Sequence, residues 1–213
     1  MRSNPYALFF GLLVLGACAP AAPEGPPAIA SESEYRAAQQ EAKTLSLDAL
    51  KQFRDGVMLD EVQKNGLIRA GQLFDRMIAY DPKQPGHYLG AIKANLAVED
   101  DAGAIKYFEA ARKVCEGAND RVSLAELYGD MGLAHYGQGN YGKALEFIEE
   151  ARTLEPQNVD YLTSELMVRL ETREPERVNE LVAEAKKIPV HPPRLDKLIK
   201  LVAMSKSEDD KSP

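Results

Sequence analysis

The stretch AELYGDMGLAHYGQGNYGKALEFIEEARTLEPQN, residues 125–158, decides how this chain is read. It holds two helix-length segments around a turn at Gly139-Asn140 and stops at Pro156, which cannot continue a helix. In the second segment Ala144, Ile148, Ala151 and Leu154 fall at i, i+4, i+7 and i+10, which is one face of a helix. Small residues at Gly132, Ala144 and Ala151 let two helices cross closely, while Tyr141 and Ile148 fill the remaining space.

The pattern recurs outward from there. Ala70, Ala104, Ala144 and Val178 are separated by 34, 40 and 34 residues, and Phe74, Phe108, Ile148 and Val182 repeat those offsets. The single 40 marks a six-residue insertion near Asn119 to Leu124. A helical pattern returning every 34 residues predicts a solenoid of helix pairs. The unit 125–158 resembles the tetratricopeptide repeat. Tyr128, Met131 and Gly132 occupy the aromatic, aliphatic and glycine places of its first helix, and His135 stands where an aromatic is usual.

Three weaker units flank it. Residues 51–84 keep Ala70, Phe74 and the Asp81-Pro82 stop, with Arg54 at an aromatic place. Residues 85–118 keep Tyr88, Ala91, Ala104, Phe108 and Ala111 without a terminal Pro, and residues 159–192 keep the apolar pattern with Glu165 intruding. Further turns are expected at Asn65-Gly66, Gly117, Glu174-Pro175 and Pro189, and Ser31 with Glu34 has the spacing that opens a helix. Leu195, Leu198, Ile199 and Val202 share one face of a capping helix over 193–205, and the charged tail 206–213 reads as disordered. The expected fold class is all-α: a helix-pair solenoid of about four repeats with a C-terminal capping helix, spanning 31–205.

Ahead of this body, Tyr6 to Ala17 is an uncharged run of twelve residues behind Arg2. As a helix it would span roughly 18 Å of a ~30 Å hydrocarbon core, so it reads as a secretion signal. Leu15-Gly16-Ala17-Cys18 resembles the lipobox of bacterial lipoproteins. That resemblance implies removal of residues 1–17 and acylation of Cys18, with two or three chains making a near-permanent membrane anchor. An ordinary signal cut at Ala19, Ala21 or Ala22 is the alternative. Residues 18–30 then form the lipidated Cys and a Pro/Ala-rich tether reaching roughly 35 Å. Ala19 after the Cys, by resemblance to the sorting rule of enteric bacteria, implies the outer membrane, facing the periplasm.

Composition narrows the chemistry. The 213 residues are 45% apolar, enough for a core, and the net charge of −7 argues against nucleic acid as a partner. Two Cys and three His cannot build a disulfide framework or a four-ligand zinc site. With Cys18 acylated, Cys115 is expected to be packed. His87, His135 and His191 fall in different units, so no metal is expected, and His135 reads as a satisfied interhelical side chain. No nucleophile elbow and no phosphate cradle occurs, and Glu99-Asp100-Asp101 is explained by an N-cap at Asp100 or Asp101. No catalytic residue, cofactor or small-molecule substrate is expected.

Binding remains. The family resemblance implies a concave groove lined by the first helix of each pair. The stripe beside the packing face reads Leu59 and Val62, then Leu89, Lys93 and Leu96, then Leu133 and Tyr136, then Met167 and Leu170. First helices apolar on two faces suggest a groove for an extended or helical segment of a protein partner. Only Lys93 stands on the stripe where one version of this fold grips a C-terminal carboxylate, so that clamp is not expected. The function read from these features is a membrane-anchored adaptor of the bacterial cell envelope. A pilotin-like or assembly factor for a secretion, pilus or outer-membrane complex stays open, as does an envelope structural protein or a cofactor of a cell-wall hydrolase.

Overall fold

The computed structural model describes residues 28–209, with side chains to residue 205. Within them the chain forms ten helices and no strand: α1 (Glu32–Arg54), α2 (Glu61–Tyr80), α3 (Pro85–Ala97), α4 (Asp101–Ile105), α5 (Phe108–Gly117), α6 (Arg121–Gly137), α7 (Tyr141–Leu154), α8 (Val159–Glu171), α9 (Pro175–Ala185) and α10 (Pro193–Asp209). They pack as pairs, α1 with α2, α3 with α4 and α5, α6 with α7, α8 with α9, and α10 lies against α8. This is an all-helical, tetratricopeptide-like solenoid. No helix of the described residues is long and apolar enough to cross a membrane. Residues 1–27 and 210–213 lie outside the described part, and with them the apolar run, Cys18 and most of the tether.

Local chemistry sets the helix ends. Ser31 Oγ accepts from the Glu34 N–H at 3.2 Å, and the Glu34 carboxylate reaches back to the Ala30 N–H at 2.9 Å. Asp100 is the cap of α4, accepting from the Gly103 N–H, and Asp120 does the same for α6 through Ser123. Five turns share one form: 55–57, 98–100, 118–120, 138–140 and 172–174. Their middle residues Gly56, Glu99, Asn119, Gly139 and Arg173 have φ of 70°, 65°, 52°, 74° and 55°. The following N–H donates back to the carbonyl of Gln52, Asn95, Cys115, His135 or Arg169, which satisfies an orphaned carbonyl at each helix end.

Three expectations need correction. Asn65-Gly66 is no turn; both residues lie inside α2. Leu67, Ala70, Leu73 and Met77 are buried along that helix, and a Cβ at Gly66 would meet the Leu45 carbonyl of α1 at 3.4 Å. Packing carries the helix through a local turn signal, and the glycine serves the crossing. The first unit therefore does not begin at residue 51, which lies in the last turn of the 23-residue α1; the first pair runs from Glu32 to Tyr80. The six-residue insertion lengthens α6 to 17 residues against 13 in α3 and α8, and α10 continues to Asp209, so residues 206–209 are helical rather than disordered.

The second and third pairs join through apolar packing of Tyr88, Leu89, Ile92 and Leu96 on Leu127, Met131 and Ala134. Within the third pair a Cβ at Gly132 would lie 2.5 Å from Ile148 Cγ1 and 3.2 Å from the Ala144 carbonyl, so only glycine fits this crossing. Between α1 and α3, the Asp81 carbonyl accepts from His87 Nδ1 at 3.1 Å, so Nε2 accepts from the Tyr35 hydroxyl at 2.8 Å. Burial pushes the His87 pKa down, in keeping with a neutral ring.

The fourth pair is held differently. Glu165 is only 1% exposed, and its carboxylate accepts from Arg152 of α7 and from Arg177 Nη2 of α9 at 2.8 Å, with Arg169 one turn on at 3.8 Å. Arg152 also pairs with Glu184 at 2.5 Å, and Arg169 with Glu149 at 2.9 Å and Glu174 at 2.6 Å. An ionic mesh ties α7, α8 and α9 in addition to the apolar packing of Tyr161 on Ala125 and Ala151 and of Val168 on Ala144 and Ile148.

Candidate functional site: the concave cavity

The first helices of the pairs enclose a cavity of about 720 Å³. The first helix of the third pair gives it one continuous face: Val122, Glu126, Asp130 and Leu133 follow one another along α6 at i, i+4, i+8 and i+11, with Gly129 between them. Lys93 and Leu96 enter from α3, and Asp160, Tyr161, Ser164 and Met167 from α8. The last two turns of α1 supply Leu47, Leu50, Lys51 and Arg54, and Pro192 and Arg194 come from the start of α10. A Cβ at Gly56, just past α1, would lie 3.6 Å from Arg194 Cγ, so the two ends of the array come within van der Waals reach. That approach narrows one side of the groove.

Of the stripe read from the sequence, Lys93, Leu96, Leu133 and Met167 line this cavity. The other five do not. Leu89 belongs to the core between the second and third pairs, and Leu170 packs into the core of α8, α9 and α10. Tyr136 packs near Tyr141 and donates to Glu171 at 3.4 Å. Leu59 packs beneath α1 and α2, and Val62 is 81% exposed. The last two were assigned to a first helix that is in fact the loop before α2 and its first turn; α1 takes that place. Leu96 itself is buried at 4% exposure, so a charge there would injure the core.

The missed residues divide by how visible they were. The spacing of Val122, Glu126, Asp130 and Leu133 is a helical face that the sequence carries openly. Arg54 and Arg194 carry no such signal, because only the approach of the two ends of the array brings them together.

Charge is unevenly satisfied across the cavity. Lys93 of α3 pairs with Glu126 of α6 across its wall. Asp130, one turn further, has no such partner: its Oδ2 is shut off from solvent without a hydrogen bond. Burial pushes its carboxyl up to about 6, opposed by the Lys93 charge. The Tyr161 ring lies directly on Gly129, where a Cβ would fall 2.6 Å from Cε1, and burial followed by the charges of Glu155 and Asp130 pushes its hydroxyl up. Arg194 Nη2 rests 3.2 Å from the Met167 sulfur, and burial lowers its pKa.

Residues 89–155, from within α3 to just past α7, match the family model of the tetratricopeptide repeat. That stretch is a tetratricopeptide repeat region. Such repeats indicate a protein–protein interaction role, and their fold is typically a non-enzymatic scaffold. Among curated proteins nothing matches the chain.

Elsewhere in this tetratricopeptide array the reactive residue types are occupied structurally. Cys115 is buried in α5, and burial raises its thiol away from the reactive thiolate. His135 is not the satisfied side chain expected: it stacks on Phe147 at 5.4 Å between centroids, with Nδ1 buried and unpaired, and burial lowers its pKa. Among the described residues no group of three His, Cys, Asp or Glu could hold a metal ion.

Proposed function

We propose that this protein is a lipid-anchored adaptor of a bacterial cell envelope that holds a segment of a protein partner in its concave cavity. The observation carrying the reading is the cavity itself, formed by first helices of all four pairs and bordered by Arg194. Its volume is that of a specific ligand site rather than a shallow dimple. Its rim supports the same reading, since Leu47 and Val122 line it while remaining 60% exposed, an apolar surface that a monomer does not need. The membrane and envelope part rests on the sequence of residues 6–18, above all on the aliphatic, small, small, Cys order ending at Cys18.

Two experiments test the two halves. Photo-cross-linking residues placed at Leu47 and Val122 are expected to capture the same partner in cells, whereas one at Lys143, exposed on the second helix α7, captures none. Equal capture at all three, or none at any, overturns the cavity as the docking site. For the anchor, Cys18→Ser is expected to release the protein from membranes, and the intact mass of the wild type to carry acyl chains. A membrane-bound protein with an unmodified Cys18 overturns it.

A further inference from the structure

We propose that Asp130 is the anchor point for a lysine or arginine side chain of the peptide that occupies the cavity. This deepens the adaptor reading and rests on it. Asp130 lies on the cavity face of α6, four residues beyond Glu126 and three before Leu133. Its Oδ2 has lost water and gained no donor, an arrangement the fold penalises and the Lys93 charge only partly offsets. The nearest cation, Lys93, is engaged by Glu126, and Arg194 is turned to the Met167 sulfur instead of a carboxylate. An asparagine of the same shape would remove the penalty of a charge. A carboxylate held dry in the wall of a cavity is suited to a cation that arrives with the ligand, because attraction between them is strong where water is excluded. Tyr161, packed on Gly129 beside it and only 7% exposed, narrows the approach to this carboxylate. Asp160 of α8 adds a negative charge to the lining, which also carries Lys51, Arg54, Lys93 and Arg194.

The test uses the full-length protein immobilised by a C-terminal tag. The probes are four pools of N-acetylated, C-amidated heptapeptides with random flanks and a central Lys, Arg, Gln or Glu. Retention of the Lys and Arg pools is expected to exceed that of the Gln and Glu pools by tenfold or more. Asp130→Asn, and Asp130→Ser measured beside it, are expected to bring the Lys and Gln pools level while the variants melt as cooperatively as wild type. Equal retention of all four pools by wild type overturns the proposal and leaves the cavity as a peptide site. A Lys preference that survives in both variants overturns the assignment to Asp130. Retention of no pool overturns the cavity reading along with it.

Discussion

The junction between the second and third helix pairs and that between the third and fourth both have an apolar seam, but they differ in the charge built in beside it. The first is apolar, with Ile92 and Leu96 packed on Leu127 and Met131, and it lies inside the stretch that matches the family model. The second packs Tyr161 on Ala125 and Ala151 and Val168 on Ala144 and Ile148, and beside that seam it buries Glu165 among Arg152, Arg169 and Arg177; the match ends at residue 155, ahead of α8. The backbone keeps the same pairing and the same three-residue turns on both sides. A repeat can thus lose its sequence signature without losing its geometry, provided that buried charge is paired from every side. The difference also predicts different failures: hydrocarbon tolerates small losses of volume, whereas an ionic mesh fails when one member goes.

The largest expected effect is at the ionic junction. Glu165→Gln leaves Arg152 and Arg177 facing a neutral group in a buried place and is expected to destabilise by about 3 kcal/mol. Chemical denaturation measures it, and Glu165→Leu combined with Arg152→Met is expected to recover most of the loss. A single Glu165→Gln that melts like wild type would mean the mesh contributes nothing that the apolar junction lacks.

Gly132→Ala comes next, on the apolar side. A methyl at that crossing overlaps Ile148 and the Ala144 carbonyl, and overpacking of this kind costs about 1–3 kcal/mol. Gly142→Ala is the paired control, since a Cβ there meets nothing within 4 Å.

Asp130→Asn is expected to act in the opposite direction and only at neutral pH. The folded value of about 6 lies above the ordinary 3.8, so the native state binds the additional proton between those values. The penalty of its charge is absent below about pH 4, grows as pH rises through 6 and is full above it. The variant should therefore be more stable than wild type by about 2 kcal/mol at pH 7.5 and no more stable at pH 4, as followed by thermal melts. A gain that is the same at both pH values would exclude ionisation as the cause.

The smallest effect compares equivalent turns. Gly139 and Arg173 hold the same left-handed backbone, one with glycine and one without. Arg173→Gly is expected to stabilise by about 0.5–1 kcal/mol, and Gly139→Ala to destabilise by about as much.

Much of this was legible in the sequence because it is local. The 34-residue spacing, the caps at Ser31 and Asp100 and the glycine turn at Gly139 are read within a few residues of themselves, and helix formation depends on such neighbours. Asn65-Gly66 shows the limit: a strong local turn signal lost to the burial of Leu67 and Ala70 along one uninterrupted helix. Leu89 shows another, since an apolar residue beside the packing face looks alike whether the next helix covers it or a ligand would. The sequence by itself determined the helices, their pairing and the solenoid, because periodicity and turn chemistry are properties of the chain. Only the tertiary structure decided that the segment after α1 approaches Arg194 at the start of α10, that this narrows the cavity, that Glu165 finds three arginines and that Asp130 finds none. Those depend on how small rotations between successive pairs add up along the array, and no short stretch of residues encodes that sum.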